Sequence, residues 1–527
     1  MRVRECFFVV ASCLVCAAAA AAPAPLDTLT LGNDTAGIGI DPGLAKAFVT
    51  NYTSGTLSVI NLATNTVDTF NVGANPRRLV IDAARHRVYF VNDTAAGSVS
   101  VFDAQTNAVI AGVPVGSRPR SIAADFQVHE VYAGNRDSNS ISIIDTRTNN
   151  VVATVPVGQA PGGIDVNRLL GKIYVASGPD NTVSIIDQAT RTVKTVAVGK
   201  NPGFARADIR TGKVYVNNVD DKTVSVIDSN DTVIKTIPVG AGTAFNFAAS
   251  SPIYRRIYLA NALDNTVTFI DTDTDTVVRT VPVGAAPQDV SVDNGDGDLY
   301  VVNQGSNSVT VIDARTETVT GTLPVGGSPW RMATGLDRML VLNTNGAAPD
   351  SITIATEQET LGNTEIANEW YHGGFNHYFH AATEVENRVL NDGIFGTDWN
   401  RTYQFWRVWT QAAPGLQPVC RFFSATFAPR SSHFFTPYPA ECESLKAGGV
   451  WQYEGTLYFL ALPDAGGSCG PGTVPLYRLY NNGLSGAPNH RYTADVAVRD
   501  QMAALGWIGE GSGANVVFAC TPTLRGD

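Results

Sequence analysis

One phrase recurs along the first two thirds of the chain. NTVSIIDQATRTVKTVAVG, which ends at Gly199, returns as TVSVIDSNDTVIKTIPVG, which ends at Gly240. The V-x-V-G-like end of the phrase recurs at eight glycines: Gly32, Gly73, Gly116, Gly158, Gly199, Gly240, Gly284 and Gly326. The first and last are 294 residues apart, which is seven steps averaging 42 residues. A period of this length built from short β-rich runs predicts a β-propeller, because a single four-stranded blade buries its faces only against copies of itself.

The stretch between Gly284 and Gly326 shows the four strands predicted for each blade. QDVSVD, DLYVVN, SVTVID and TVTGTLPV are short runs that alternate apolar and polar residues or are wholly apolar, as half-buried and buried strands are. A hairpin turn is predicted between the third and fourth strands, where an Asp is followed three residues later by Thr. DTDTDT, from Asp271 to Thr276, lies at this turn and lacks the glycine of a calcium loop, so we interpret it as a turn.

The two ends of the repeat region predict how the ring closes. The unit after Gly326 supplies RMATG, RMLVLN and SITIATE but no fourth strand, whereas LDTLTLG, at Leu26–Gly32, is a fourth strand without a blade. Together they predict a mainly β fold with eight blades, the last one completed by the N-terminal strand. Seven blades with an irregular extra hairpin is the alternative, because the last unit is degenerate.

The second strands carry a signature that resembles a known family. YFVN, YVNN, YLAN and YVVN recur in register with the S-V-x-I-D and V-P-V-G elements. Over about residues 26–360 the chain resembles the YVTN family of β-propeller repeats, which implies a propeller fold and an extracytoplasmic or surface location. The resemblance implies no catalytic residue.

The mouth of the predicted channel offers a cationic candidate site. Propeller ligands usually contact the loop that enters the inner strand, which here contains the fourth and fifth residues after each repeat glycine. These positions supply Arg77, Arg78, Arg120, Trp330 and Arg331, with one carboxylate, Asp289, and no histidine. This composition disfavours a metal-dependent lactonase or a quinoprotein-like dehydrogenase. The five residues either hold a carboxylate or an acidic chain end, or are solvated loop residues.

The composition changes after a polar linker predicted at residues 361–368. Six of the seven tryptophans and five of the seven histidines lie beyond residue 369. NHYFH, SHFFT and NHRYT place His377, His433 and His490 at nearly equal intervals, and WQYEG and WIGEG follow two of them. Residues 369–524 resemble a bacterial domain of unknown function built from H-F-[YF]-T and G-[WY]-x-x-E-G repeats. The repeats predict a smaller β-rich, pseudo-threefold domain with short helices, and the resemblance implies an accessory role in adhesion or glycan binding.

Two interpretations of this second domain remain open. His377, His433 and His490 are either equivalent structural residues, each bonding the backbone of its own hairpin, or part of shallow sites in which Trp451 and Trp507 stack on sugar rings. Its four cysteines, Cys420, Cys442, Cys469 and Cys520, predict two disulfides with three possible pairings. His372, His377 and His380 lack a recognised zinc spacing, so we expect no metal and no cofactor.

The remaining composition predicts an exported binding protein. Residues 1–22 have two arginines, an apolar run and small residues, as a signal peptide does, and no later stretch is long and apolar enough to span a membrane. A net charge of −11 disfavours nucleic acid as a partner. We therefore predict a secreted, non-enzymatic scaffold that binds a protein or polysaccharide. The alternatives are a propeller hydrolase or lactonase-like enzyme and a structural surface-layer component.

Overall fold

The described part of the chain folds into eight four-stranded sheets followed by a larger antiparallel sheet. The computed structural model describes residues 25–240, 243–252, 254–293, 298–314, 316–336, 338–344, 349–356, 364–372, 374, 377–382, 386–387, 390, 399–424, 426, 432–482 and 488–523. The predicted signal peptide at residues 1–22 lies outside these ranges. So do residues 391–398, which include most of GIFGTDW, the sequence that stands in the first C-terminal repeat where the others have W-x-x-E-G.

Each blade of the propeller is an antiparallel sheet, and in blades 1 to 7 the strands follow one another outward from the channel in chain order. The first four blades consist of the following strands: blade 1, β2 (Thr35–Asp41), β3 (Lys46–Asn51), β4 (Thr56–Asn61) and β5 (Thr66–Asn71); blade 2, β6 (Pro76–Asp82), β7 (Arg87–Asn92), β8 (Ser98–Asp103) and β9 (Ala108–Pro114); blade 3, β10 (Pro119–Asp125), β11 (Glu130–Asn135), β12 (Ser140–Asp145) and β13 (Asn150–Pro156); blade 4, β14 (Pro161–Asn167), β15 (Lys172–Ser177), β16 (Thr182–Asp187) and β17 (Val193–Ala197).

The second half of the ring repeats this arrangement. Its strands are as follows: blade 5, β18 (Pro202–Ala207), β19 (Val214–Asn218), β20 (Thr223–Ile227) and β21 (Val233–Pro238); blade 6, β22 (Thr243–Ser251), β23 (Arg256–Asn261), β24 (Thr266–Asp271) and β25 (Thr276–Pro282); blade 7, β26 (Pro287–Val292), β27 (Asp298–Asn303), β28 (Ser308–Asp313) and β29 (Thr318–Pro324); blade 8, β30 (Pro329–Gly335), β31 (Arg338–Asn343), β32 (Ser351–Thr356) and β1 (Pro25–Thr30). The four strands predicted between Gly284 and Gly326 are confirmed in blade 7.

The ring is closed by the two ends of the repeat region, which confirms eight blades and excludes seven. Strand β1 pairs antiparallel with β32, with Leu29 opposite Ile352. Beside this pair, Asp350 accepts hydrogen bonds from the backbone N and the Oγ1 of Thr35, at 2.7 and 3.0 Å. The first blade is thereby tied to the last.

The blades bury their middle strands and expose the outer ones. Strands β7 and β8 are almost wholly buried, whereas β9 is mostly exposed. The tyrosines of the second-strand signature lie between sheets and are at most 1% exposed; they are Tyr89, Tyr132, Tyr174, Tyr215, Tyr258 and Tyr300. The recurring aromatic is therefore core packing.

The two halves of the repeat signature contact each other. In six of the eight blades, the asparagine that ends the second strand packs against the repeat glycine at the start of the same blade. In the other two, Ser177 lies beside Gly158, and no atom lies within 4 Å of a Cβ added to Gly73. A Cβ added to Gly116 would lie 2.6 Å from Cγ of Asn135. A Cβ added to Gly199 would lie at the same distance from Cγ of Asn218. Asn135 in turn donates hydrogen bonds to Ser140 and Ser142, at 3.1 and 3.0 Å. The glycine is needed because the buried amide occupies the space of its side chain.

Gly116→Ala is expected to destabilise the propeller by about 1–3 kcal/mol, because the added methyl overlaps an asparagine that its hydrogen bonds hold in place. Gly112→Ala is the matched control: no atom lies within 4 Å of its added Cβ. It should leave the free energy of unfolding within about 0.5 kcal/mol of the parent value. Chemical denaturation followed by far-UV circular dichroism measures both. Equal effects of the two substitutions would contradict the packing explanation.

The predicted Asp–Thr hairpin turn is also confirmed. Oδ1 of Asp271 accepts hydrogen bonds from the backbone N–H groups of Asp273 and Thr274, at 3.0 and 2.9 Å, and Thr274 Oγ1 lies 3.1 Å away. Oδ1 of the equivalent Asp187 accepts hydrogen bonds from the backbone N–H groups of Ala189 and Thr190. DTDTDT therefore tightens a turn, as we interpreted it.

The described part of the C-terminal region is β-rich and includes two short helices, which confirms the predicted β-rich domain with short helices. Its elements are β33 (Thr364–His372), β34 (His377–Ala381), β35 (Trp399–Trp409), β36 (Leu416–Ser424), β37 (Ser432–Thr436), α1 (Pro439–Ala447), β38 (Gln452–Ala461), β39 (Thr473–Tyr480), β40 (His490–Thr493), α2 (Val496–Ala504), β41 (Ile508–Glu510) and β42 (Ala519–Pro522). Strand β33 begins inside the segment predicted as a linker.

Three hairpins carry the pseudo-threefold repeat. In β33–β34, β36–β37 and β39–β40, the repeat histidine lies opposite His372, Phe423 and Tyr480, respectively. Of the three possible pairings, the structure contains disulfides Cys420–Cys442 and Cys469–Cys520. The first joins β36 to α1, and the second joins the segment before β39 to β42.

Candidate functional site

Three arginines surround one buried aspartate at the channel mouth. Asp93 follows β7 in the loop to β8, and its side chain is fully buried. Arg118 Nε lies 3.1 Å from its Oδ1, Arg120 Nε lies 2.9 Å from its Oδ2, and Arg77 Nη1 lies 3.5 Å from Oδ2. We call these four residues the Arg–Asp93 cluster. Its arginine side chains are 34–42% exposed, so the guanidiniums remain accessible from solvent.

The topology explains why these residues meet. The loops that enter inner strands and the loops between second and third strands lie on the same face of an antiparallel meander. Arg77 and Arg120 lie at the starts of β6 and β10, and Arg118 immediately precedes β10 at φ +50°. Asp93 lies in the second-to-third-strand loop between them. The cluster contains three cationic side chains and one anionic side chain. Its four residues therefore carry two surplus positive charges, although the net charge of the chain is −11.

The structure divides the predicted cationic residues between two places. Arg77 and Arg120 belong to the surface cluster, whereas Arg78 and Arg331 line a cavity of about 440 Å³ in the channel. Trp330 packs against the core between blades 8 and 1, and the guanidinium of Arg331 covers its ring at 5.4 Å. One face of the Trp330 ring is therefore covered by a cation of the same chain.

Four charged residues of these two places were not predicted from the sequence. Asp93 and Arg118 lie outside the two mouth positions that were considered. Asp165 and Arg206 lie two residues beyond the fifth position, and they line the same cavity as Arg78. The period of two along a strand, which places alternate side chains on one face, was the signal that could have found this pair.

The repeat histidines lie inside the C-terminal domain. His433 Nε2 lies 3.5 Å from Oε2 of Glu454, and His490 Nε2 lies 3.4 Å from Oε2 of Glu510. An arginine of the same hairpin pairs with each glutamate: Arg421 Nε at 2.9 Å and Arg478 Nε at 2.7 Å. The matched glutamates of the W-x-x-E-G elements thus contact the matched histidines.

The first repeat has a different histidine contact. Among the described residues, the Nε2 of His377 accepts a hydrogen bond from the backbone N of His433 at 3.0 Å, and the two rings stack at 5.0 Å. Its neighbour His380 is fully buried between Trp406, Phe435 and Tyr492. Among the described residues, neither ring nitrogen of His380 has a hydrogen-bond partner.

The candidate sugar platforms are half-buried. Trp451 packs against the Cys420–Cys442 core and meets Phe434 at 5.7 Å. Trp507 packs beside Cys469 and Met502 and meets Tyr378 at 6.0 Å. Both rings therefore contribute to cores around the disulfides. Across the described part of the chain, no group of three or more His, Cys, Asp or Glu residues has metal-binding geometry.

Acidification is expected to destabilise the C-terminal domain, because burial lowers the pKa values of His377, His380, His433 and His490. In the unfolded chain each imidazole binds a proton near pH 6.5, whereas in the folded domain it stays neutral to lower pH. The free energy of unfolding should therefore be constant above about pH 7 and fall below about pH 6.5, by about 1.4 kcal/mol for each unit of pKa difference that is titrated.

His380→Phe should remove part of this pH dependence, because it places an apolar ring among the same aromatic neighbours. Denaturation followed by tryptophan fluorescence at pH 7.5 and 5.5 measures it, since six of the seven tryptophans lie beyond residue 369. His129→Asn, in a propeller turn at φ +60°, is the control and should leave the tryptophan-detected transition unchanged. An unaltered pH dependence in His380→Phe would show that this imidazole does not contribute.

Two family profiles match parts of the chain. Residues 115–209 match a YNCE-like beta-propeller, and residues 370–517 match a domain of unknown function (DUF5648). No curated protein matches. Solved structures that match include Kuenenia stuttgartiensis Hydrazine Synthase, at 19% sequence identity and a TM-score of 0.44, over 54% of this chain and 96% of that chain. Among the described residues, no helix is long and apolar enough to cross a membrane. The resemblances to a propeller-repeat family and to a bacterial domain of unknown function are thus confirmed: an eight-bladed propeller with a YNCE-like match precedes a region that matches DUF5648.

Proposed function

We propose that this chain is an exported, non-enzymatic binding protein whose propeller captures an acidic polypeptide segment at the Arg–Asp93 cluster. The observation that carries the proposal is the convergence of three guanidiniums on one buried carboxylate. Asp93 orients the arginines by ion pairs on one side and leaves their other N–H donors directed away from it. A planar guanidinium offers donors in a fork that matches a carboxylate, so the surplus charge favours Asp and Glu side chains.

The surroundings of the cluster favour a polypeptide over an acidic polysaccharide. Sugar recognition relies on open aromatic faces on which pyranose rings stack. At this mouth, Arg77 covers the ring of Tyr52 at 5.2 Å, and Arg331 covers that of Trp330. Both rings are therefore engaged by cations of the same chain. Acidic side chains need only the guanidiniums, which stay partly exposed.

Two features support a binding role without catalysis. The carboxylates of the channel, Asp165 and Asp289, each accept hydrogen bonds from two backbone N–H groups, so they are held as structural acceptors. The C-terminal domain buries its histidines, which supports an accessory role for residues 369–524 rather than proton transfer. The propeller boundaries 26–360 and the linker 361–368 stay predictions, except that residues 364–368 of the linker belong to β33.

Export is supported by the cysteines. All four cysteines beyond residue 22 form disulfides, which persist in oxidising compartments. We propose that residues 1–22 direct the chain to the periplasm or beyond and are removed. The intact mass of protein purified from a secreting host tests this: a mass that still includes residues 1–22 in a fully oxidised product would contradict removal.

The binding test uses the full-length oxidised protein and poly-L-glutamate in isothermal titration calorimetry. Arg118→Asn removes one guanidinium and keeps a residue that suits the left-handed backbone, since Asn75 and Asn201 occupy the equivalent position at φ +54° and +53°. It should weaken binding about tenfold or more, as expected for loss of a charged hydrogen bond. Arg147→Gln, on the opposite face at an exposed third-to-fourth-strand turn, is the matched control and should change nothing.

Asp93→Asn is expected to change the affinity for poly-L-glutamate in the opposite direction. Removing the buried carboxylate raises the local surplus from two charges to three, so poly-L-glutamate should bind more tightly and with a steeper salt dependence. Polygalacturonate is the comparison ligand. Equal binding of the two polymers, or binding that Arg118→Asn leaves unchanged, would contradict the proposal.

A further inference from the structure

The channel of the propeller contains a second concentration of arginines, distinct from the surface cluster. Inner strands of seven blades line a cavity of about 440 Å³. Its charged lining residues are Arg78, Asp165, Arg206, Asp289 and Arg331, from blades 2, 4, 5, 7 and 8. Aliphatic side chains, Ile38 of blade 1 among them, form part of the wall, and polar groups make up most of its accessible lining. A cavity of this volume, with convergent charged groups beside aliphatic side chains, has room for a small polar molecule.

Both carboxylates of the cavity serve to join neighbouring blades. Asp165 of blade 4 accepts the backbone N–H of Ala207 in blade 5 at 3.0 Å, and its Oδ2 lies 3.3 Å from Arg206 Nη1. Asp289 of blade 7 accepts the backbone N–H of Met332 in blade 8 at 3.0 Å. The two anions are therefore fixed by the fold, and three guanidiniums still exceed them by one charge.

The arginines that line the cavity repel one another. Desolvation, followed by repulsion from Arg331 and Arg77, lowers the pKa of Arg78 to about 9, and desolvation also lowers the pKa of Arg331. Desolvation raises the pKa of Asp289 to about 6, so protonation of this group below that pH increases the positive surplus. Arg331 reaches across the closure of the ring to the carbonyl oxygen of Ala36 at 3.0 Å, which fixes its guanidinium at the cavity wall. A bound anion would relieve the repulsion among these groups.

We infer that the channel binds one small organic carboxylate, held by Arg78, Arg206 and Arg331 with its carbon skeleton against the aliphatic wall. Arginine forks match carboxylate oxygens, and the enclosed site strengthens each charged hydrogen bond. The aliphatic residues between the arginines favour a carboxylate with a carbon chain over a compact inorganic oxyanion. This site goes beyond the proposed function, because its ligand is a small molecule inside the ring and not a segment on the surface.

The test is calorimetric titration of the full-length protein with succinate, citrate and inorganic phosphate. We expect saturable binding of succinate or citrate at one site per chain, weaker at high salt. Arg78→Ser, for which Ser121 is the equivalent residue in blade 3, should weaken binding about tenfold or more, and Arg206→Gln should act in the same direction. The second variant decides the outcome if the first fails to fold, as judged by circular dichroism.

The surface and channel sites are separated by crossed variants. Arg118→Asn should leave carboxylate binding unchanged while weakening poly-L-glutamate binding, and Arg78→Ser should do the reverse, so failure of one proposal is distinguishable from failure of the other. Binding of phosphate without binding of either carboxylate would overturn the assignment of ligand class. Absence of saturable binding by all three probes, or carboxylate binding unaffected by Arg78→Ser and Arg206→Gln, would overturn the site itself.

Discussion

Glu369→Ala is expected to destabilise the C-terminal domain by about 3–5 kcal/mol, because it leaves a buried arginine without its counter-charge. The Glu369 side chain is fully buried in β33, and that of Arg491 in β40 is 12% exposed. Nε and Nη2 of Arg491 donate to Oε1 and Oε2 of Glu369, each at 3.0 Å, and Thr402 Oγ1 donates to Oε2 at 2.6 Å. The pair joins the first hairpin of the domain to the third.

The matched control is a glutamate whose ion pair lies at the surface. Glu443 in α1 pairs with Lys446 at 2.8 Å, and its side chain is 71% exposed. Glu443→Ala should cost less than about 1 kcal/mol, because water screens an exposed pair. Guanidinium denaturation followed by tryptophan fluorescence measures both variants in the C-terminal domain.

A double variant tests the physical reason for the loss. Glu369→Leu with Arg491→Met removes both charges and fills the space with apolar atoms, so it should cost less than Glu369→Ala. The equivalent residues of the other repeats are already apolar: Cys420 and Tyr477 match Glu369, and Tyr378 and Phe434 match Arg491. If the double variant is as unstable as Glu369→Ala, loss of packing rather than an unpaired charge is the cause.

The propeller was predictable from sequence because its determinants are local and repeated eight times. The strand runs, the Asp–Thr turns and the closing strand each follow from short local patterns. The reason for the Gly–Asn signature was not visible, since Gly116 and Asn135 lie in separate parts of the blade and meet only when β11 pairs with its neighbours. The repeat showed that both positions are constrained, and the structure shows that one contact constrains them.

The ion pairs between neighbouring blades could not be predicted from the sequence. Lys172 at the start of β15 pairs with Asp231 of the next blade at 2.6 Å. At the equivalent positions one blade earlier, Glu130 and Arg191 form an ion pair with the charges exchanged. A reversal of this kind hides the equivalence, because neither position keeps its charge across the repeats. The Arg–Asp93 cluster was only partly predicted for a related reason: its anion comes from the loop after β7, in the blade before the one that Arg118 enters.

The histidine repeat was recognised, but its contacts were not. The structural interpretation had each histidine bonding the backbone of its own hairpin. The structure instead places His433 and His490 beside the glutamates of the W-x-x-E-G elements, which follow them in the chain after a short helix. The repeat without that element is the one in which His377 contacts another histidine. The available signal was the His–Glu pattern, with spacings of 21 and 20 residues, and it indicates packing as readily as a site.

Removing the Cys469–Cys520 disulfide is the second change for which we expect a large effect. The bond spans 51 residues, and the entropy of closing a loop of that length in the unfolded chain corresponds to about 4 kcal/mol. Cys520 is fully buried in β42, which pairs with both β38 and β39 at the centre of the sheet. Cys469→Ala with Cys520→Ala should therefore lower the free energy of unfolding of the C-terminal domain by about that amount, as measured by tryptophan fluorescence during guanidinium denaturation.

The second disulfide supplies the comparison that separates loop entropy from local packing. Cys420–Cys442 spans 22 residues, so its removal should cost about 3 kcal/mol, slightly less than removal of the longer bond. Neither doubly substituted variant changes the sequence of the propeller. The far-UV circular dichroism signal is dominated by the propeller strands, so it should report the same propeller stability in both variants as in the parent. Under reducing conditions the parent should lose the stability that separates it from each variant, since the thiols no longer constrain the unfolded chain. A cost below about 1 kcal/mol for the longer bond, well under the loop-entropy value, would show that β42 is held in the sheet by its strand pairing and packing rather than by the covalent link.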